Sequence, residues 1–299
     1  MTAKGGRPRG ARDGRRDTRQ PKGERGQGSA QQTERVQQRP AKTYSQAPSG
    51  TYIEGRRAAA EALRTGFPIK RALVAKGLEQ DRDIVRLTSD LSAVNIPIKY
   101  VPRVQLDALS SHGAHQGIAL ETAPFPYASI PDIISNAGDG PALVVVLDHV
   151  TDAGNFGAIV RSAEVVGAAG VVIANKRAAE VTVATYKTSA GAVMHLPIAQ
   201  VPNLARAVED LKDAGFWVVG ASEHADDICW DAPMDGRVAL VMGSEGEGIS
   251  RLVREKCDFL TKLPQRGLTE SLNVAQATTV LCYEWMRRSW NDLTTEATA

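Results

Sequence analysis

The segment from Ala142 to Leu147, ALVVVL, is an uninterrupted apolar run that ends at Asp148. A short run without polar alternation is typical of a strand that is buried on both faces of a parallel sheet. Further strands are predicted at 170–173, 216–220, 238–242 and 259–263, with helices at 156–166, 204–214 and 273–288. Five strands that alternate with helices predict an open α/β sheet, which binds ligands at the carboxyl ends of its strands.

A second, smaller α/β pattern precedes this one. The segment EGRRAAAEAL at 54–63 is helix-prone, and amphipathic spacing predicts another helix at 81–94. Strands are predicted at 72–75, 96–101 and 117–121, and a short helix at 103–109. The predicted organisation is a small domain at 49–123, a linker at 124–140, a large domain at 141–290 and a C-terminal tail at 291–299.

The first fifty residues differ from the rest in charge. They contain twelve Lys and Arg against four Asp and Glu, a net charge of +8, whereas the whole chain carries +2. Almost no large apolar residue occurs before Val36, so residues 1–48 are predicted to be a disordered basic tail. The charge favours RNA phosphates as its partner, and a purely solubilising tail is the alternative.

Composition excludes several classes of protein. No apolar run reaches about 18 residues, so no transmembrane helix is predicted. The basic N-terminus lacks the apolar segment of a secretory signal. Cys229, Cys257 and Cys282 are far apart and form no CxxC pair, so neither a zinc site nor a redox motif is indicated. The chain is expected to be a cytoplasmic protein with reduced thiols.

Three segments whose residues could take part in catalysis or binding each follow a predicted strand. They are DHVTDAGNFGAIVR at 148–161, MGSEGEG at 242–248 and LPQRGLTESLNV at 263–274. The second segment lacks the Lys-Ser/Thr of a phosphate-binding P-loop, and the first lacks the GxGxxG of a dinucleotide site. In the third, Ser271 or Asn273 can cap the last helix. Each segment alone is weak evidence, because glycine-rich turns are common.

Together and in this order, the three segments closely resemble the signature motifs of the SpoU/TrmH (SPOUT) family of RNA ribose 2′-O-methyltransferases. The resemblance covers residues 50–290. GRRAAAEAL at 55–63, HQGI at 115–118 and KTSAGA at 187–192 are similar to the RlmB-like subgroup, which methylates a guanosine in 23S rRNA. The third motif departs at Gln265, where relatives often have methionine, and at Ala275-Gln276.

The resemblance implies a fold, a cofactor and partners. The fold is a trefoil-knotted parallel-sheet methyltransferase domain preceded by a small α/β substrate-binding domain. Knots are rare exceptions to the rules of chain connection, so periodicity alone does not predict one. The implied methyl donor is S-adenosylmethionine without a metal, and the implied partners are RNA and a second copy of the chain in a homodimer.

The resemblance also implies roles for individual residues. The residues assigned to catalysis are Arg161, Asn155, Glu245, Ser271 and Asn273. Those assigned to the cofactor are Gly220, Ala221, Met242, Gly243, Leu263, Leu272 and Asn273. Those assigned to RNA are Arg56, Arg57, His115 and Gln116. No metal ligand is assigned, because His112 and His115 have no carboxylate near them in the sequence.

The role of Arg161 is constrained by chemistry. Relatives' arginine is sometimes described as the base, but a guanidinium stays protonated in proteins and is a poor proton acceptor. Arg161 is therefore expected to grip the phosphate beside the target ribose and to stabilise the developing alkoxide. Glu245 would orient Arg161 or another active-site group, and phosphate or water would accept the proton.

Two alternatives to 23S rRNA methylation stay open. The first is the same chemistry on tRNA or on another rRNA nucleotide. The second is a non-catalytic RNA-binding factor in ribosome assembly. A non-catalytic protein would be expected to have lost Arg161, Glu245 or Asn273, and all three are present.

Deletion of residues 1–48 is expected to weaken RNA binding without changing the modified nucleotide, because phosphate contacts carry no direct sequence information. The salt dependence of binding should become shallower, since fewer counterions are released. Binding of the same RNA to full-length and truncated protein across a salt series measures both effects. Equal affinities and slopes would show a solubilising tail, and a shifted modification site would show a role in target choice.

Overall fold

The computed structural model describes residues 52–110, 114–269 and 271–296. The predicted basic tail at 1–48 lies outside these residues. Among the described helices, none is both long and apolar enough to cross a membrane.

The small domain is built on a four-stranded sheet of order β1-β4-β2-β3. Strand β4 is antiparallel to β1 and β2, whereas β2 and β3 are parallel. Its elements are β1 (Tyr52–Glu54), α1 (Arg56–Arg64), β2 (Ile69–Ala75), α2 (Arg82–Ala93), β3 (Ile98–Val101), α3 (Arg103–Leu109) and β4 (Ile118–Thr122). The sequence predicts this α/β pattern but not the short first strand.

The large domain contains a six-stranded sheet of order β10-β8-β9-β5-β6-β7, in which every pair is parallel. Its elements are α4 (Ile130–Asn136), β5 (Ala142–Leu147), α5 (Ala153–Val165), β6 (Gly170–Ala174), α6 (Val183–Thr188), β7 (Ile198–Val201), α7 (Leu204–Asp213), β8 (Trp217–Ala221), β9 (Arg237–Met242), α8 (Arg251–Arg254), β10 (Phe259–Thr261) and α9 (Val274–Glu296). The predicted parallel α/β fold is confirmed. Strand order alone does not reveal a trefoil crossing, so the knot stays a prediction.

Strand β5 shows why its sequence is apolar throughout. Val145 and Leu147 lie in the core on one face of the sheet, together with residues of α5 and α9. Val144 and Val146 lie in a separate core on the other face, with α4 and α7. Both faces are covered by helices, so no position of this strand is left for a polar side chain.

Three features of the structure go beyond the sequence prediction. The predicted linker contains α4, which a capping box of Ser129 and Asp132 begins, and Ile133 of α4 is fully buried. The four-residue strand β7 was not predicted because its apolar run is too short to separate from a loop. Helix α9 continues to Glu296, past the predicted domain end at 290, because Leu293 extends its apolar face onto the core.

Helices α5 and α6 pack with almost no space between them. A methyl group on Gly157 of α5 would lie 1.9 Å from Thr188 Oγ1 and 3.0 Å from the backbone nitrogen of Ser189. Thr188 Oγ1 in turn donates a hydrogen bond to the carbonyl of Ala184 at 2.9 Å. The contact fixes the first half of α5, which carries Asn155 and leads to Arg161.

Helix α6 also joins the two domains. Tyr186, which is fully buried, packs edge to face against Phe67 of the small domain, with ring centroids 5.9 Å apart. On the neighbouring surface, Glu61 of α1 pairs with Arg64 and with His195, which follows the 3-10 turn Ala192–Met194. The small domain is thus packed against the helix that supports α5.

Gly157→Ala is expected to lower the free energy of unfolding by about 1–3 kcal/mol, because the added methyl forces α5 and α6 apart. The loss should outweigh the helix preference of alanine over glycine, which is about 1 kcal/mol. Urea unfolding measures the change. Gly246→Ala is the control, since no atom lies within 4 Å of a methyl group there. Equal unfolding midpoints for the two variants would contradict the close packing.

Candidate functional site

The carboxyl ends of neighbouring strands meet at one edge of the large sheet. Met242, the last residue of β9, pairs in register with Leu147 of β5 and with Ala221 of β8. Ala221 also pairs with Thr261, the last residue of β10. The three motif-bearing loops therefore start at the same edge of the sheet, with β8 between β9 and β10, as expected for a ligand site in an open parallel sheet.

The first loop ends where α5 begins. Asp152 caps the helix, since its Oδ1 accepts a hydrogen bond from the backbone nitrogen of Asn155 at 2.7 Å. The cap fixes the backbone of Asn155 and turns its half-buried side chain toward the second and third loops. Sequence reasoning gave Asp152 no role, although an Asp three residues before a helical position is a recognisable capping pattern.

The second loop is a tight turn after β9. Ser244 and Gly248 exchange two backbone hydrogen bonds, of 3.1 and 3.0 Å. At Gly243 a methyl group would lie only 2.1 Å from the backbone carbon of Gly248. Only glycine fits there, because the obstructing atoms belong to the backbone. The turn projects Glu245 toward the start of α9.

The third loop ends at Asn273, which caps α9. Its Oδ1 accepts hydrogen bonds from the backbone nitrogens of Ala275 at 2.9 Å and Gln276 at 3.4 Å. Of the two capping candidates in the sequence, the structure selects Asn273. The amide nitrogen Nδ2 is left to donate outward, to Asn155 Oδ1 at 2.9 Å and to Glu245 Oε1 at 2.7 Å.

Glu245 joins the three loops through a single oxygen. Its Oε1 accepts from Asn273 Nδ2, from Asn155 Nδ2 at 3.2 Å and from the backbone nitrogen of Val274 at 3.4 Å. The last donor lies in the first turn of α9, where the helix dipole favours a negative charge. Among the described residues, none donates a hydrogen bond to Oε2, so this oxygen is free to orient another group. We call Asn155, Glu245 and Asn273 the polar triad.

Arg161 forms no hydrogen bond with the polar triad of its own chain. It follows Asn155 by six residues on α5, which corresponds to about 9 Å along the axis and roughly 120° around it. Its side chain is exposed and forms no hydrogen bond or ion pair with any described residue. Ser271 is likewise exposed, without a hydrogen bond to the described part of the chain. The structure thus assembles three of the five predicted catalytic residues.

The predicted cofactor residues surround the same strand ends. Gly220 and Ala221 end β8, Met242 and Gly243 follow each other at the end of β9, and Leu263 comes just after β10. Met242 is buried in the core, whereas Leu272 is 45% exposed and Leu268 is fully exposed. Leu272 and Leu268 therefore expose aliphatic surface in the loop that follows β10.

Two of the predicted glycines serve packing. At Gly220 a methyl group would lie 2.8 Å from Leu260 Cδ2 and 2.9 Å from Cys257 Sγ, so the protein itself fills that space. The same holds for Gly243. At Gly267 the nearest atom to such a methyl is the backbone nitrogen of Thr269, at 4.0 Å. A ligand therefore has room to approach the backbone closely at Gly267. At Gly220 and Gly243 the protein fills the space itself, so packing explains these two glycines.

Some of the predicted RNA-binding residues of the small domain have partners within the domain, and others are exposed. His115 is fully buried, with Nε2 3.0 Å from Asp107 Oδ1 and Nδ1 accepting from the backbone nitrogen of Gly117 at 3.0 Å. Its assignment to RNA stays a prediction, and the ring has no accessible surface through which to contact RNA in this structure. It holds the turn in front of β4.

Arg56 also has a structural partner. Its guanidinium binds both oxygens of Asp81, at 2.8 and 3.0 Å, and its Nε donates to the carbonyl of Gln116 at 3.2 Å. The pairing raises the pKa of Arg56 and lowers the pKa of Asp81. Gln116 in turn accepts from the backbone nitrogen of Arg56 and caps α1. Arg57 and Gln116 are both exposed, and Arg57 has no partner among the described residues, so these two of the four have side-chain surface open to RNA.

The described residues do not favour a metal site or a cysteine nucleophile. Within residues 52–110, 114–269 and 271–296, no group of three or more His, Cys, Asp or Glu side chains is arranged to hold a metal. Burial raises the pKa of Cys257 and of Cys282 to about 12, so both thiols stay protonated at neutral pH and are poor nucleophiles.

Comparison with known proteins gives matches to both domains. Residues 142–283 match the SpoU rRNA methylase family, and residues 52–128 match a family described as RNA 2′-O ribose methyltransferase substrate binding. An uncharacterized tRNA/rRNA methyltransferase of Mycobacterium ulcerans is 40% identical over 261 residues, covering 87% of this chain and 84% of that protein. Another from Mycolicibacterium vanbaalenii is 40% identical over 238 residues, covering 79% and 76%.

The fold has counterparts among solved structures. The SpoU methyltransferase AviRb from Streptomyces viridochromogenes, in complex with its cofactor AdoMet, superposes with a TM-score of 0.71 at 28% identity. The match covers 80% of this chain and 90% of AviRb. Sequence relatives, both domain profiles and the fold agree with the resemblance of the motifs, and the chain belongs to the SpoU rRNA methylase family.

Proposed function

We propose that the protein transfers a methyl group from S-adenosylmethionine to a ribose 2′-hydroxyl of RNA, at a guanosine of 23S rRNA, in the cytoplasm. The family membership gives the reaction and the cofactor. The observation that carries the catalytic proposal is the polar triad, which joins all three motif loops at the carboxyl edge of the sheet.

The cofactor would be held at the row of strand ends. Ala221, Leu263 and Leu272 offer apolar surface to the adenine, and the backbone around Gly267 is open to close approach. When bound, S-adenosylmethionine supplies an electrophilic methyl group. The protein's task is then to align the ribose oxygen and to deal with its proton.

Arg161 is the group we assign to the RNA phosphate. It is exposed, and no described residue neutralises its charge, so its planar guanidinium is available for a bidentate contact with phosphate oxygens. The same positive charge stabilises an alkoxide that develops on the 2′-oxygen. The proton passes to phosphate or water, because a guanidinium is a poor acceptor.

The polar triad would organise the groups around the ribose. Asn155 and Asn273 are fixed by Glu245, and the free Oε2 of Glu245 can accept a hydrogen bond from Arg161 of another chain or from the RNA. Ser271 lies next to the triad in sequence and is exposed, so its hydroxyl can contribute a hydrogen bond to substrate.

A second copy of the chain would complete the site, because Arg161 forms no hydrogen bond with the triad of its own chain. The surface around Arg161 fits such a partner. Val165 on α5 is 56% exposed, and Val280 and Tyr283 on α9 are 47% and 44% exposed. The two helices are joined by the hydrogen bond between Ser162 Oγ and Thr279 Oγ1, at 2.7 Å. We infer a homodimer in which Arg161 of one subunit serves the triad of the other.

The RNA target is inferred from the small domain. A separate substrate-binding module with the RlmB-like segments favours 23S rRNA, with tRNA as the alternative. Mapping of ribose 2′-O-methyl groups in total RNA from a deletion strain and from the wild type tests the target. Loss of one 23S rRNA guanosine methylation is expected, and loss of a tRNA methylation instead would replace this substrate. An unchanged map would contradict the proposed activity.

Arg161→Ala is expected to reduce kcat/KM by roughly 100-fold or more, the scale found when a charge-stabilising donor is removed. Cofactor affinity, measured by calorimetry, should stay within a factor of two. Arg161→Lys should also be poor, since lysine cannot reproduce the bidentate contact. Arg206→Ala on α7, across the sheet, is the matched control. Near-normal turnover of the Lys variant would show that the guanidinium does not clamp phosphate.

Mixing two inactive variants tests whether the site is shared. Arg161→Ala and Glu245→Ala should each be inactive as homodimers. After subunit exchange, half of the dimers are mixed, and each has one intact composite site, so about a quarter of wild-type activity should return. A site contained within one chain would give no recovery, and that outcome would overturn the shared arrangement.

A further inference from the structure

Asp148 is a buried carboxylate to which the proposed chemistry gives no role. It directly follows β5 and is 1% exposed. A buried carboxylate is costly unless hydrogen-bond donors surround it. Two donors are present: the backbone nitrogen of Ser250, 2.7 Å from Oδ2, and Nδ1 of His149, 2.7 Å from Oδ1.

Asp148 contacts both ends of the loop that carries Glu245. The loop runs from Gly243 to Ile249, between the end of β9 and Ser250. At its first end, the backbone nitrogen of Asp148 donates to the carbonyl of Met242 at 2.8 Å. At its second end, the carboxylate accepts from Ser250. One residue of the β5 end therefore holds both ends of the loop that follows β9.

The loop is stiff enough to transmit this restraint. Ser244 and Gly248 pair through two backbone hydrogen bonds, and the Ser244 hydroxyl accepts from the backbone nitrogen of Glu247 at 3.2 Å. Gly243 leaves no room against Gly248. A stiff loop moves as a unit, so a shift at its base displaces Glu245 relative to Asn155 and Asn273.

We propose that Asp148 is a positioning residue, which orients Glu245 and Gly243 by fixing the backbone of Ser250. This inference rests on the proposed function of the Glu245 loop. Any residue at position 148 can form the backbone hydrogen bond to Met242. The contribution specific to the Asp148 side chain is therefore the hydrogen bond from Ser250 to its carboxylate.

Ser250 offers a way to remove this contact without changing the carboxylate. Its φ of −58° suits proline, which lacks the N–H donor, and its side chain forms no capping hydrogen bond. Ser250→Pro therefore deletes the donor, and Ser250→Ala is the matched control that keeps it. Asp148→Ala deletes the acceptor, whereas Asp148→Asn keeps an oxygen that can accept from Ser250.

Three measurements are made on each full-length variant: cofactor affinity by calorimetry, kcat and KM for RNA methylation, and amide hydrogen exchange. Asp148→Ala and Ser250→Pro should each lose roughly tenfold in cofactor affinity and in kcat, the scale of one lost charge-assisted hydrogen bond. KM for RNA should change little. Exchange should accelerate in residues 243–250 and stay unchanged in β5. Asp148→Asn should recover most of the loss, and Ser250→Ala should match wild type.

The proposal is overturned if folded Ser250→Pro keeps wild-type affinity and kcat, or if Asp148→Asn is as impaired as Asp148→Ala. If circular dichroism shows that Ser250→Pro is unfolded, the comparison of Asp148→Ala with Asp148→Asn decides. If Asp148→Ala also loses its fold, Asp148 is a fold determinant only and the proposal fails. Cofactor binding is measured by calorimetry without RNA. This test therefore remains valid even if the proposed RNA target is wrong.

Discussion

Burial of the parallel sheet on both faces is the constraint on which the rest of this molecule depends. Helices cover β5 from each side, and its residues enter two separate cores. Parallel strands must all end at the same edge, so the loops after β5, β9 and β10 are brought together although they are far apart in sequence. The chemistry is thus placed by the direction of the strands, and the loops need only supply the side chains.

The polar triad shows how a few hydrogen bonds convert this edge into a site. Glu245 Oε1 accepts from two side chains and one backbone nitrogen, each from a different segment. Asn273 caps α9 with its oxygen and reaches the other loops with its nitrogen, so the helix start and the site share one residue. Such coupled networks stiffen a site, because displacement of one member strains the others.

The position of Arg161 gives the dimer proposal its chemical reason. A cation without a partner in the described part of its own chain stands next to exposed apolar side chains of α5 and α9. Association through that surface would cover the apolar groups and bring the cation to a second triad. In this view catalysis and assembly depend on one another, and the close contact of Gly157 with α6 holds the helix that serves both.

The sequence by itself determined the parallel α/β class, most helices and strands, and the membership of the family, because apolar periodicity and motif order are local signals. Through the resemblance it also named Asn155, Glu245 and Asn273. Tertiary structure decided which of those side chains meet, since hydrogen bonds between residues 90 or 118 positions apart leave no local trace. It also gave His115 and Arg56 structural contacts, because burial of His115 and pairing of Arg56 with Asp81 depend on chain packing rather than on residue type.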